Sequence, residues 1–365
     1  MRIADRYIAK QIAFGTVFGV SLLTVVLVLS QIFKQIRPYL VEQGAPLGLL
    51  GEFVLLVLPF SLVFTLPWGF LAAVLLSFGR LSGHNELVSL RMAGFSLYRI
   101  AMPALMLGLL FSGLSYYLTG TIAPQAKSAL RDLPFRAAER DPSILLSPGV
   151  AQAQFPGQRV YIENRDGLTL KGLHLYQLSD NTRDATPVAY VHSDTVDLHV
   201  DRDKKMFSLT LTDAYIENQN ADGAVEIATA AEAKPWFLDY SAGRKKKFRA
   251  SDLTNAEISA ALDDKSASSE ARKDLLVEIN SRRSISLACF AFALIGVPLG
   301  ISARRKETST GLILSLAVAA AYFSGMLFID PLRESSAALS ITTLWVPNVV
   351  CLFLGAWLFR RASHR

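Results

Sequence analysis

Four side chains of the kind that bind metal ions, His192, Asp194, Asp197 and His199, lie close together in the sequence. Imidazole nitrogens and carboxylate oxygens are common ligands for zinc. The surrounding residues alternate between apolar and polar as in a β-strand, and residues an odd number apart on a strand point to opposite faces. The pattern therefore favours a solvated strand, and we predict no metal site here.

The sequence also lacks the patterns of an enzyme. It contains no G-x-x-x-x-G-K-[ST] phosphate loop, so any ATP-driven work requires a partner protein. The histidines and serines suggest no pairing of nucleophile and base. Both cysteines, Cys289 and Cys351, lie inside apolar runs, where a thiol behaves as a small hydrophobic group. We therefore predict no catalytic residues and no cofactor.

The segment GRLSGHNELVSLRMAGFSLYRIAMP separates two apolar runs and is more polar than either. Glu86, Leu87, Leu90 and Arg91 fall at helical spacing, and Gly94 stands where a helix would end. The spacing predicts a short helix at the membrane surface with an acidic and apolar face. Such a helix is either a solvated connection or a coupling helix on which a cytoplasmic motor docks.

Two cations, Lys34 and Arg37, follow the first apolar run and lie one helical turn apart. Lysine and arginine at helix ends often extend toward the membrane interface, which is one interpretation of the pair. The other is that they bind the phosphate of an anionic lipid, since cations at headgroup level attract such groups. The sequence leaves both open.

These residues are positioned by apolar segments long enough to cross a bilayer, which requires about 20 apolar residues. The chain is 51% hydrophobic and 19% charged, and its apolar residues concentrate at the two ends. Its net charge of +6 is spread between apolar segments instead of forming a patch, which argues against nucleic-acid binding. We predict six spans, near residues 11–33, 49–79, 100–122, 285–303, 309–329 and 342–359.

The second predicted span is long and contains Pro59, Pro67 and Gly69, so it is either one tilted or kinked helix or two short spans. Lysine and arginine accumulate in cytoplasmic loops, which decides between the two. One span here puts most basic loop residues on the same side, whereas two spans would remove the bias. That side then carries Arg2, Arg6, Lys10, Arg80, Arg91, Arg99, Arg304, Arg305, Lys306, Arg360, Arg361 and Arg365. The other carries Lys34, Arg37 and Arg333 in its short loops. We predict that both termini are cytoplasmic.

A polar domain separates the two groups of spans. From Ala151 to about Tyr240 the residues alternate with period two, as in MFSLTLTDAYIEN, with turn residues between the runs. We predict an all-β sandwich or roll on the far side of the membrane, within 123–250. Residues 251–284 form a helical connector. The predicted membrane parts are 1–122, which includes the coupling helix near 82–94, and 285–365.

Several segments resemble the LptF/LptG (YjgP/YjgQ) family of permeases, which extract lipopolysaccharide from the inner membrane of Gram-negative bacteria. The resemblance covers essentially the whole chain. Its most specific element is Glu-x-x-x-x-x-x-x-Gly, from Glu86 to Gly94. The start DRYI, the run EINSRRSISLACFAFALIGVPLG and the carboxyl-terminal LWVPN are also similar and stand in the right order. The runs QAQFPGQRVYIENRDGLTLKGLHLYQL and GVPLGISARR resemble LptF more than LptG.

The resemblance implies a fold, a function and partners. The fold would be six transmembrane helices, three on each side of an inserted periplasmic β-jellyroll. The chain would be the permease subunit of an ABC transporter that passes lipopolysaccharide toward the outer membrane. An LptB-type ATPase dimer would dock at Glu86, while Lys34, and less securely Arg37, would face the lipid A phosphates. A sister permease, LptG if this chain is LptF, and an LptC-type periplasmic protein would complete the complex.

We expect the first and fifth spans of the two permeases to enclose a cavity that lipid enters from the side and leaves when ATP drives closure. Two other functions fit the sequence. One is an ABC-type permease for a different lipid or for lipoproteins. The other is a membrane scaffold or receptor whose outer domain binds a ligand and whose spans only anchor it.

Overall fold

A computed structural model describes the chain in several segments. They comprise residues 3–36, 47–140, 146, 148–149, 151–152, 155, 157–178, 187–201, 206–219, 225–233, 235–239, 249–263, 268–302, 308–327 and 337–363. The chain forms two compact units. The helical unit contains Met1–Gln31, Leu55–Ser128 and Arg249–Arg365, and the β unit contains Ile32–Val54 and Ala129–Phe248.

Nine α-helices are described. They are α1 (Ile3–Gln31), α2 (Leu47–Gly83), α3 (Glu86–Met92), α4 (Leu97–Tyr117), α5 (Ala123–Arg140), α6 (Asn255–Asp263), α7 (Ser269–Ser302), α8 (Thr308–Leu327) and α9 (Ala337–Ser363). Short π-helical turns follow α1 (Ile32–Ile36) and α4 (Leu118–Ile122), and a 3-10 turn (Ala250–Asp252) precedes α6. Helix therefore extends to Arg140, into the segment predicted as β domain, and α7 joins the predicted connector to the fourth span.

Five of the described helices are long and apolar enough to cross a membrane. They are Ile3–Lys34, Leu50–Gly83, Leu97–Leu133, Ser269–Ser302 and Ala338–Ser363. The predicted fifth span corresponds to α8, whose described apolar part, Ile313–Ser324, is shorter. The second segment is one continuous helix with Pro59 and Pro67 inside it, so the prediction of a single span is confirmed.

Helices α1 and α2 cross closely because small residues face each other. A Cβ added to Gly15 would lie 3.2 Å from the Ala73 side chain, and one added to Gly69 would lie 2.8 Å from the Val20 backbone nitrogen. Small residues let helix backbones approach in a bilayer, where dispersion contacts replace the hydrophobic effect. Further along α1, the buried hydroxyls of Thr24 and Thr65 are 2.9 Å apart.

A buried polar cluster joins α7, α8 and α9. The Asn348 amide donates to the carbonyl and hydroxyl oxygens of Ser284, at 2.9 and 2.8 Å. The Ser284 hydroxyl in turn donates to the Leu344 carbonyl at 2.7 Å. The Tyr322 hydroxyl lies 3.3 Å from both the Ser284 carbonyl and the Asn348 amide oxygen. The LWVPN segment thus supplies a polar contact among three apolar helices.

The β unit contains an antiparallel sheet whose alternating strands bury one face. The described strands are β1 (Gln158–Asp166), β2 (Thr169–Leu178), β3 (Pro187–Asp201), β4 (Met206–Gln219), β5 (Val225–Glu232) and β6 (Trp236–Asp239). They pair in the order β1-β2-β3-β4-β5, and β6 pairs with the other end of β4. Phe207, Leu209 and Leu211 are buried, as predicted from their alternation with polar residues. The inserted antiparallel domain is confirmed, while an exchange of strands between two sheets, as in a jellyroll, stays a prediction.

The regular pairing is interrupted at the same level in four neighbouring strands, at Glu163, Gly172, Asp194 and Asp213. Gly172 and Asp213 have positive φ angles of 64° and 52°. Glycine adopts this backbone without steric cost, and aspartate tolerates it better than most residues. The interruption divides β4 into a half that pairs mainly with β5 and a half that pairs with β6.

This interruption overturns one prediction. In β3 the buried positions change from odd to even residue numbers on crossing it. As a result, His192, Asp194, Asp197 and His199 all lie on the face opposite the buried core. The prediction that the odd separation between Asp194 and Asp197 puts them on opposite faces is therefore wrong, because strict alternation assumes an unbroken strand.

Candidate functional site

The predicted surface helix between the second and third spans is α3, and its ends explain its short length. Asn85, immediately before it, has a left-handed backbone with φ 60°, and Gly94, just after it, has φ 84°. A left-handed residue after a helix ends the regular hydrogen bonding. Ser96 then caps α4 by accepting a hydrogen bond from the backbone nitrogen of Arg99. The predicted end at Gly94 is confirmed.

Helix α3 packs against the rest of the helical unit through Leu87, which is 6% exposed. Leu87 belongs to a buried cluster that also contains Ile8, Leu97 and Ile100, and Leu90 packs at its edge. Leu87 thus anchors α3 and is not available to a partner. Helical spacing identified these leucines but could not show which face of the helix they occupy.

The exposed face of α3 carries two apolar residues that the sequence interpretation omitted. Val88 is 55% exposed and Met92 is 85% exposed, four residues apart on the same face. Arg91 lies beside them and is also exposed. The signal that could have revealed them is this spacing of four, out of phase with Leu87 and Leu90.

Glu86 lies at the first turn of α3 and is half-buried. Its Oε2 accepts a hydrogen bond of 3.3 Å from the Tyr7 hydroxyl, which in turn accepts one of 3.3 Å from Arg80. Nearby, Asp5 and Arg99 form an ion pair of 3.1 Å. Two residues of the DRYI segment therefore contact the surroundings of α3. The DRYI resemblance alone gave them no role.

The two predicted lipid-phosphate residues have different outcomes. Lys34 lies in the π-helical turn after α1 and is exposed. Arg37 lies outside the described residues. The position of Lys34 is compatible with either interpretation of that residue, so its role stays a prediction.

A cavity of about 120 Å³ lies in the helical unit between α2, the π-helical turn after α4, α5 and α7. Arg282, which is 2% exposed, lines it together with Lys127, Phe60 and Phe64. The Arg282 guanidinium donates to Glu278 on its own helix. The sequence did not identify Arg282, because an arginine close to the end of a predicted span is usually interpreted as a charge at the membrane interface.

The histidines of the β unit form no metal site in the described part of the chain, where no group of three or more suitable ligands is found. His192 and His199 stand about 23 Å apart along β3, given a rise of about 3.3 Å per residue. The His192 ring instead stacks on His174, 4.6 Å between centroids, and its Nε2 lies 3.3 Å from Asp194. Burial, with smaller contributions from nearby charges, raises the pKa of Tyr190, whose hydroxyl lies 2.7 Å from His174 Nδ1.

A family model described as lipopolysaccharide export system permease LptF/LptG matches residues 6–361. The chain belongs to the LptF/LptG family. It is a multi-pass membrane protein with the family's function of lipopolysaccharide export. Permeases of this family are transmembrane subunits without an ATPase of their own. No curated protein matches the chain in a sequence comparison.

The match spans both units of the permease and includes Tyr7, Glu86, Arg282 and Asn348. It does not distinguish LptF from LptG. The family places the permease in a lipopolysaccharide transporter complex.

Proposed function

We propose that this permease couples ATP hydrolysis by an LptB-type ATPase dimer, docked on α3, to the extraction of lipopolysaccharide from the inner membrane. In this proposal the termini and α3 are cytoplasmic and the β unit is periplasmic. The observation that carries the proposal is the exposed face of α3. A short, anchored helix with solvent-facing apolar residues lies between two spans of a permease that has no ATPase of its own.

The exposed face of α3 supports docking by its chemistry. Val88 and Met92 offer apolar contact, and Glu86 and Arg91 offer charges of both signs. Charge pairs at the edge of an apolar contact fix orientation and partner choice. Burial of Leu87 makes α3 move with the spans, so force applied to its outer face reaches them.

A sister permease, LptG if this chain is LptF, would cover part of the apolar surface of the spans. Between Phe14 and Leu29, seven large apolar residues of α1 are more than about two-fifths exposed, and α9 has a similar set. Those of α1 are Phe14, Val17, Phe18, Leu22, Val25, Val26 and Leu29. Lipid and a second permease are the two environments that suit such faces. The runs that resemble LptF support LptF for this chain.

An LptC-type protein would meet the β unit at strand β5. Seven of its eight residues are exposed, including Val225 and Ile227, and β5 ends the described strand order. A strand exposed at a sheet edge offers unpaired backbone groups to another strand. The pairing would continue the sheet from one protein into the next.

Affinity purification of the tagged permease in mild detergent, with mass spectrometry of proteins and lipids, tests the proposal. We expect an ABC ATPase, a second permease, an LptC-type protein and lipopolysaccharide. Glu86→Ala should lower ATPase recovery about tenfold with unchanged membrane insertion, because a docking charge is lost. Glu270→Ala, which removes an exposed carboxylate from α7, is the control.

The β5 contact has its own arm in the same experiment. Ile227→Lys should remove the LptC-type protein while the ATPase is retained, because a charge replaces an exposed apolar side chain of β5. Full ATPase recovery with Glu86→Ala would contradict docking on α3. Recovery of the permease alone, with bulk phospholipid, would contradict the proposed complex.

A further inference from the structure

The inner end of α1 is tied to the segments on both sides of α3. On one side, Tyr7 accepts from Arg80, in the last turns of α2, and donates to Glu86. On the other side, Asp5 pairs with Arg99, in the first turn of α4. Three separate polar contacts therefore join α1 to the end of α2, the start of α3 and the start of α4.

Apolar contacts strengthen this attachment. Ile8 is 1% exposed and Ile12 is completely buried, and both belong to the cluster that buries Leu87. Leu81 and Leu97 complete the same cluster at the ends of α2 and α4. A displacement of α3 cannot leave α1 in place without opening this packed group, since packed interiors deform little.

Beyond this point α1 continues as one helix to Gln31, and its contact with α2 is tight. Gly69 approaches the α1 backbone, and the Thr24 and Thr65 hydroxyls are hydrogen-bonded in the buried interface. A helix of 22 residues is about 33 Å long. Motion applied near Tyr7 would therefore reach residues such as Leu29, which is 48% exposed at the other end of α1.

We propose that the inner end of α1 transmits the movement of α3 to the outer half of the first span, with Tyr7 and Asp5 as positioning residues. The proposal rests on docking of the ATPase at α3. Tyr7 binds Oε2 of Glu86, and within the described residues Oε1 has no hydrogen-bond partner. The carboxylate can therefore hold α1 through one oxygen and a docked ATPase through the other.

Tyr7→Phe tests the hydroxyl alone. The control is Tyr98→Phe, which removes a hydroxyl from another half-exposed tyrosine at the same end of the helical unit. The ring centroid of Tyr98 lies 5.1 Å from that of Phe359. Each variant is purified as the full complex in lipid nanodiscs. Three quantities are measured in each. They are ATPase recovery, the lipid released per ATP hydrolysed, and the nucleotide-dependent crosslinking of lipid to a photoreactive residue at position 29.

We expect Tyr7→Phe to keep ATPase recovery and to lower the lipid released per ATP about three- to tenfold, as for loss of one ordinary hydrogen bond, because this contact is exposed and 3.3 Å long. The nucleotide-dependent change at position 29 should be lost in Tyr7→Phe and kept in Tyr98→Phe. Identical behaviour of the two variants would overturn the proposal. So would loss of ATPase recovery in Tyr7→Phe, since Tyr7 would then belong to the docking site itself.

The ion pair between Asp5 and Arg99 provides an independent test of the proposal. Asp5→Arg and Arg99→Asp should each lower the lipid released per ATP, and the double variant should recover most of it because the pair is restored in reverse. Absence of recovery would overturn the role of Asp5. Failure of the proposal that the ATPase docks on α3 can be distinguished from these outcomes, because it would appear as normal ATPase recovery in Glu86→Ala.

Discussion

At the scale of single residues, Arg282 is the charged side chain that the helical unit buries most deeply among its described residues. Its Nε donates to Glu278 at 3.0 Å and its Nη1 to the Asn255 amide oxygen at 3.0 Å. Its Nη2 lies 3.4 Å from the carbonyl oxygens of Ala250 and Ser251. The guanidinium thus links α7 to α6 and to the 3-10 turn before α6. A buried charge needs such partners because it has lost its water.

Removing only the acidic partner should therefore be worse than removing the pair. Glu278→Ala leaves a buried guanidinium without its counter-charge, which typically costs about 3–5 kcal/mol, while replacement of a whole pair by apolar residues is often close to neutral. We expect the thermal unfolding midpoint of the purified permease to fall further in Glu278→Ala than in Glu278→Leu/Arg282→Met. Equal midpoints would show that the other contacts suffice for Arg282.

Lys34 permits a second test at this scale. If it faces a lipid phosphate, Lys34→Asp should reduce photo-crosslinking of lipopolysaccharide several-fold, because an attraction becomes a repulsion. Lys10→Asp makes the same charge change on an exposed residue near the other end of the same helix and should leave crosslinking unchanged. Unchanged crosslinking in both variants would mean that Lys34 only extends to the interface.

The sequence predicts the structural role of a residue well where that role depends only on the residue and its neighbours in the chain. Gly94 was recognised as a helix end because its effect depends on its own φ angle. The partner of Glu86 could not be predicted, since Tyr7 lies 79 residues away in the chain. Likewise, the pairing of Arg282 with Asn255 joins two helices that only the folded structure brings together.

At the scale of secondary-structure elements, close approach of α1 and α2 depends on glycine. Gly69→Ala would push a methyl group against the α1 backbone at 2.8 Å, and overpacking of this kind typically costs about 1–3 kcal/mol. Gly113→Ala is the matched control, because nothing lies within 4 Å of its added Cβ in α4. We expect a lower unfolding midpoint for Gly69→Ala alone. An equal midpoint would mean that the two helices separate without cost.

The elements themselves were largely predictable, and their irregularities were not. Apolar length and period-two alternation identified the spans and the strands, because both depend on burial along one segment. The interruption through Gly172, Asp194 and Asp213 is a property of four strands in register. No single strand contains it, so strict alternation gave the wrong face for part of β3.

At the scale of the whole molecule, the basic residues predict the direction in which the chain crosses the membrane, and this prediction is directly testable. The native thiols, Cys289 and Cys351, are buried, so a cysteine introduced at an exposed position would dominate labelling by a polar reagent. Leu168, in the turn between β1 and β2, and His84, just before α3, are both exposed. In the proposed topology these two residues lie on opposite sides of the membrane.

We expect a membrane-impermeant maleimide to label Leu168→Cys in intact spheroplasts and His84→Cys only after the membrane is opened. The reason is electrostatic, since Arg80, Arg91 and Arg99 flank α3 and basic residues are retained in the cytoplasm. Labelling of His84→Cys in intact spheroplasts would place α3 outside, where no ATP is available. In that case neither docking of an ATPase on α3 nor transmission through α1 could operate, so this topology is a condition for the whole mechanism.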